Sequence, residues 1–107
     1  MSTFTLRDLE QRLAERAKDS ASVSYTRKLL DKGTAHCAKK LGEESIETVI
    51  AAVNETPERL TSEAADLLYH LLVLLASRGV SLADVEAELA ARTGQSGLEE
   101  KAARRDS

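Results

Sequence analysis

The sequence predicts an all-α fold, a compact bundle of about four to five helices, and three observations carry that prediction. Apolar residues make up 42% of the 107 residues and aromatics only 3%, with no Trp, so the core must be aliphatic. Apolar positions recur at three- and four-residue steps, the helical period, rather than alternating. Hydroxyl residues and glycines stand where such segments would have to start and stop.

Residues 6–18 form the first element. Leu6, Leu9, Leu13 and Ala17 lie on one face, and Thr5 is placed to cap it. The Ser-rich stretch 20–24 follows as a loop, and Tyr25 opens one or two helical turns that end at Gly33. A long helix is expected over 34–55, with Leu41, Ile46, Val49, Ile50 and Val53 on one side when each residue advances about 100°. Thr56-Pro57-Glu58 restarts the chain with a capping hydroxyl, a proline at the first helical position and an acid in the first turn. That helix, 57–78, stops at Gly79 and is apolar nearly all round from Leu67, which predicts a buried interface in a homodimer. Ser81 caps a last helix over 82–93, and Gly94 closes it. One domain, 1–107, is expected, with an ordered bundle over about 4–94 and a polar tail over 95–107.

Charge and cysteine content exclude several classes of function. A net charge of -3 offers no field for a nucleic-acid backbone and no polybasic stretch for anionic lipid, so neither is expected as a partner. The apolar run 67–76 contains Tyr69 and His70 and is about half the ~20 residues that span a bilayer, which makes it a core helix. The single Cys37 and the lack of a secretory-signal pattern predict a reducing, cytoplasmic location.

The chemistry lies in two acidic clusters on the two central helices. Glu43, Glu44 and Glu47 precede the turn near Glu55, and Glu63 and Asp66 follow it. Glu44 with Glu47, and Glu63 with Asp66, each share a helical face one turn apart. Measured from the turn at about 1.5 Å per residue, the two pairs lie roughly 15 Å and 14 Å away, so antiparallel packing brings them to one height. Carboxylates converging between helices must be protonated or neutralised by a cation. An all-oxygen set without His or Cys suits Mg²⁺ first and Mn²⁺ second, and such a site handles phosphates. Any one of these acids alone would be read as decorating a solvated face; the matched set is not explained that way.

The order Glu-Glu-x-x-Glu followed by Glu-x-x-Asp resembles the metal motif of the all-α, MazG-like nucleotide pyrophosphohydrolases. Longer matches surround it: Ser24-Tyr25-Thr26 with Lys28-Leu29 and Gly33, Lys40-Leu41-Gly42, the run 65–74, and Arg92 with the segment 96–104. Together they resemble the phosphoribosyl-ATP pyrophosphohydrolase family of histidine biosynthesis from about residue 24 to 104. The resemblance implies hydrolysis of phosphoribosyl-ATP, Mg²⁺ dependence and dimerisation. It implies Glu44, Glu47, Glu63 and Asp66 as metal ligands, with Glu43 in the same catalytic cluster as a further ligand or as the group that orients water. Lys28, Lys40, Lys101 and Arg104, with Arg92, are the candidate phosphate contacts, and Tyr25 a candidate to stack on the substrate. His70 is expected as an interior histidine holding a carboxylate.

Three other readings compete. A MazG-like enzyme acting on canonical or damaged nucleoside triphosphates would share the metal site and differ in the segments 24–26 and 92–104. A carboxylate-bridged di-iron bundle needs Glu-x-x-His pairs, and neither His36 nor His70 has a Glu three residues earlier. A non-enzymatic helical adaptor leaves the register of the acids unexplained.

Overall fold

Helix starts and stops follow the local chemistry closely. A computed structural model describes residues 3–94 and Arg104, and among them it contains five helices and no strand: α1 Leu6–Arg16, α2 Tyr25–Asp31, α3 Thr34–Asn54, α4 Pro57–Ser77 and α5 Leu82–Thr93. Thr5 and Asp8 form a reciprocal capping box on α1, and Ser81 and Asp84 repeat it on α5. Ser24 accepts from the Arg27 amide at 3.0 Å and Thr56 from the Arg59 amide at 3.2 Å, so each of these helices has a first-turn donor satisfied. Gly33 (φ 92°) and Gly79 (φ 69°) take left-handed conformations that a side chain would resist, and they end α2 and α4.

Helices α3 and α4 form the frame, an antiparallel hairpin turned at Glu55 and Thr56. At its open end Thr34 Oγ1 and Ser77 Oγ are 3.0 Å apart, and halfway along Thr48 Oγ1 donates to the Glu63 carbonyl at 3.2 Å. The first contact joins the start of α3 to the end of α4, so the two helices run in register along their whole length.

The core fills only the open half of this hairpin. Leu13, Leu29, Cys37, Leu72, Val73 and Leu82 are buried together, and every helix contributes at least one of them. Ser24 Oγ donates to the Arg16 carbonyl at 2.9 Å and Arg27 Nη1 to the Ala17 carbonyl at 3.1 Å, which fastens α2 to the end of α1. Cys37 donates to the Leu29 carbonyl, and burial pushes its thiol pKa up, away from the reactive thiolate. Helix α5 is held at its start, where Leu82 is buried and its amide donates to Glu10 Oε2 at 2.7 Å.

The apolar stripe expected on one side of α3 is exposed from Ile46 onward, with Leu41 half-buried. Ile46, Val49, Ile50 and Val53 are 63%, 62%, 45% and 73% exposed, while Cys37, Glu44 and Ala51 occupy the buried face. The reason is steric and chemical together: small Ala51 and the Thr48 hydroxyl allow α4 to approach closely on that side, and the bulky stripe is left over. Helix α4 is likewise incompletely covered. It is long and apolar enough by length and composition to cross a membrane, with only 22% of its most apolar window buried. The tail 95–107 lies outside the described residues apart from Arg104, which is helical and exposed.

Truncating the core should show where its stability lies. Leu29→Ala is expected to cost about 2–4 kcal/mol, seen as a lower urea midpoint with an unchanged slope.

Candidate functional site

Midway along the hairpin, three carboxylates converge from the two helices. One oxygen each from Glu44, Glu63 and Asp66 lies within 4.8 Å of the others. Glu44 is 9% exposed and Glu63 only 6%, while Asp66 opens to solvent. Glu44 Oε2 and Glu63 Oε2 are buried and have no hydrogen-bond partner. A buried carboxylate oxygen without a donor is costly, and two of them facing each other are costlier.

The neighbours make Glu63 a poor anion on its own. Burial foremost, then the neighbouring carboxylates of Glu47 and Asp66, push its carboxyl pKa above the ordinary value. Only Arg59 opposes this, with Nη2 at 2.8 Å from Glu63 Oε1 and Nε at 3.2 Å from Glu55 Oε1. Glu47 itself is exposed and lines a cavity of about 270 Å³ with Ile50, Glu55, Arg59 and Glu63. Glu43 stands apart from the three converging groups, exposed, with its carboxylate 3.9 Å from Lys40 Nζ.

His70 is buried beside this cluster, but it holds a main-chain carbonyl rather than a carboxylate. Its Nδ1 is 2.8 Å from the Asp66 carbonyl, which can only accept, so Nδ1 carries the proton. In the neutral ring Nε2 is then free to accept from Tyr25 Oη at 3.4 Å. Tyr25, Tyr69 and His70 pack as one aromatic group, with Tyr69 edge-on to His70 at 5.1 Å, and Thr26 Oγ1 lies 2.6 Å from Tyr69 Oη. These contacts tie α2 to α4 directly above Asp66.

Beyond Tyr25 the surface changes sign. Tyr25, Lys28, Leu29, Lys32, His36 and Lys40 line a cavity of about 250 Å³ across the α2–α3 junction. Tyr25, Lys28 and Lys40 are therefore brought together, and Lys40 bridges this basic cavity to Glu43. Arg92 lies elsewhere, on α5, where it bonds Glu88 at 3.0 Å; Lys101 is outside the described residues. A third cavity, about 230 Å³ between α1, α2 and α4, is mostly apolar, and its one charged group, Glu10, is occupied by the Leu82 amide.

Sequence reasoning missed Arg59, Lys32 and His36. Each carried a signal: Glu55, Arg59 and Glu63 are spaced by four, and so are Lys28, Lys32, His36 and Lys40. The second series was hidden because Gly33 interrupts the helix in its middle.

A helical hairpin that gathers under-bonded carboxylates beside a basic cavity, in a chain of this motif order, defines an all-α pyrophosphohydrolase. The comparisons narrow that class. The family model described as phosphoribosyl-ATP pyrophosphohydrolase matches residues 6–93. A phosphoribosyl-ATP pyrophosphatase of Nitrobacter winogradskyi is 60% identical over 97% of this chain and 90% of its own length. Phosphoribosyl-ATP pyrophosphatase 1 of Bradyrhizobium diazoefficiens is 58% identical over 99% of this chain and 100% of its own, and that of Rhodopseudomonas palustris 59% identical over 98% of both. The chain belongs to the phosphoribosyl-ATP pyrophosphohydrolase family.

The electrostatics predict opposite effects of one substitution on folding and on cation response. Because Glu63 is raised, its contribution to stability is present at acid pH and is lost as pH rises through its folded value. In chelator at neutral pH, Glu63→Gln should therefore melt above the wild type, since the amide keeps an acceptor for Arg59 and puts a donor in place of one orphaned oxygen. Millimolar divalent cation should raise the melting temperature of this variant by less than it raises that of the wild type. Thermal denaturation with and without the ion reads both.

Proposed function

We propose that this chain hydrolyses phosphoribosyl-ATP to phosphoribosyl-AMP and pyrophosphate, the second step of histidine biosynthesis, with a divalent cation. The observation that carries the reading is the convergence of Glu44, Glu63 and Asp66 with two buried, partnerless oxygens, in a chain of this family. The donor set is all oxygen, with no His or Cys ligand, as a hard cation prefers, which supports Mg²⁺ with Mn²⁺ as substitute.

Glu44, Glu63 and Asp66 would hold the ion, and Glu47 would complete the set from the hairpin's edge. A divalent cation there supplies neutralisation of the phosphate oxygens and activation of water for attack on phosphorus. Arg59 keeps Glu63 in place without competing for Oε2, because it bonds Oε1. Thr48 donates to the Glu44 carbonyl at 2.8 Å as well as to that of Glu63, so the helices on either side of the ion are braced against each other. Glu43, exposed at the rim beside Lys40, orients the attacking water. Lys28 and Lys40 contact phosphates, Tyr25 stacks on the substrate, and Arg92, Lys101 and Arg104 add cations from the C-terminal part of the chain. His70 fixes the Asp66 turn and the Tyr25 ring from below.

The working form is a homodimer of single-domain chains, 1–107, in the cytosol. The interface expected on 57–78 extends to α3, where Ile46, Val49, Ile50 and Val53 are exposed, as is Leu68 on α4, and a second copy would cover these apolar side chains. A second copy laid across the hairpin buries that surface and the half-covered leucines of α4. The two acids near the middle of α4 dock on α3, which suits a core helix and not a membrane span.

Pyrophosphate release from phosphoribosyl-ATP, with ATP and dCTP for comparison, should require Mg²⁺ and favour phosphoribosyl-ATP. Glu44→Gln should lower kcat/KM by roughly 100-fold or more while remaining folded. Preference for ATP or dCTP would sink the substrate assignment and leave the metal chemistry standing. For the interface, Val49→Asp is expected to shift the particle from dimer to monomer mass in light scattering behind a sizing column; an unchanged dimer would place the interface elsewhere.

A further inference from the structure

The basic cavity has two lining side chains that the proposed function leaves unused. Lys32 and His36 line it together with Lys28, Lys40 and Tyr25. The three lysines and the histidine recur every four residues across the Gly33 bend, two on α2 and its C-cap and two on α3. The single carboxylate paired with any of them among the described residues is Glu43, which reaches Lys40 only at 3.9 Å with its side chain half exposed. Lys28, Lys32 and His36 have no ion-pair partner among the described residues. Clustered like charges around one concavity repel, so their placement stabilises nothing unless an anion enters.

We propose that this cavity binds a phosphate monoester distinct from the triphosphate, the one on the phosphoribosyl group, and that Lys32 and His36 are the residues that distinguish phosphoribosyl-ATP from ATP. The proposal rests on phosphoribosyl-ATP being the substrate. That molecule carries two separate anionic groups, a triphosphate at one end and a lone phosphate at the other. The carboxylate cluster takes the first with its cation. His36 precedes Glu44 by eight residues on α3, about 12 Å along the axis, further than neighbouring phosphates of one chain lie from each other. Lys40 stands between the two regions, and the exposed Tyr25 ring forms the wall on the α2 side, a surface for the sugar or base that joins the two anions. ATP has nothing to place in the cavity.

The test is steady-state hydrolysis of phosphoribosyl-ATP with Mg²⁺, with ATP as competing inhibitor, for the wild type, Lys32→Gln with His36→Gln together, and Lys32→Arg, each checked for unchanged melting. The double variant should raise KM for phosphoribosyl-ATP by about tenfold or more with kcat within about threefold, and Ki for ATP by a clearly smaller factor. Lys32→Arg should keep the wild-type KM to within about threefold, since a guanidinium also binds phosphate. If Ki for ATP rises by the same factor as KM, the cavity serves the triphosphate and the proposal is overturned. A KM that moves less than about threefold, or a loss confined to kcat, overturns it as well. If the wild type releases no pyrophosphate from phosphoribosyl-ATP, the substrate reading itself has failed, and this assignment goes with it.

Discussion

The register of the α3/α4 hairpin is the constraint on which the rest of this structure hangs. Thr34 meets Ser77 and Thr48 meets the Glu63 carbonyl, so Glu44 must face Glu63 and Asp66 across the groove. Shift one helix by a residue and each acid would turn by about 100°, away from its partners. The arrangement is unfavourable in isolation, since it leaves Glu44 Oε2 and Glu63 Oε2 buried without donors. Arg59 relieves only one oxygen of one acid. A fold that keeps such a register carries a local cost at its centre, and the proposed cation site rests on that cost.

How that cost is tolerated follows from where the core lies. Leu13, Leu29, Cys37, Leu72, Val73 and Leu82 clasp the open half of the hairpin, so the acidic centre is held by packing on one side of it. On the other side, toward the turn, the hairpin presents Ile46, Val49, Ile50 and Val53 to solvent. Those two halves divide the work. One chain's own helices tie the frame together near Asp66 through Thr26, Tyr69 and His70, and the uncovered stripe is the surface that the proposed second copy would cover.

Charge is partitioned in the same way along α3. His36 and Lys40 precede Glu43, Glu44 and Glu47 on neighbouring turns, so a single helix carries a basic segment and an acidic one. The proposed polyanionic substrate and divalent cation have opposite needs, and this ordering would meet both without long loops. The Lys40 to Glu43 contact marks the seam between them.

Much of this was legible in the residues themselves. Caps are local chemistry, so Thr5, Thr56, Ser81, Gly33 and Gly79 disclosed helix boundaries without any tertiary knowledge, whereas Ser24, read as part of a loop, caps α2. The turn at Glu55 and the constant helical rise likewise placed Glu44 opposite Glu63 and Asp66, because two straight helices joined by a tight turn have one free parameter, and the turn sets it. What periodicity could not say is which side of α3 faces inward. An apolar stripe is read as core by default, yet here packing density against α4 favoured Ala51 and Thr48, and the stripe went to the surface. Nor could spacing reveal that His70 would bind a carbonyl, that Arg59 would split its guanidinium between Glu55 and Glu63, or that Lys32 and His36 would meet across the Gly33 bend. Those depend on distances between elements, and such distances exist only once the helices have packed.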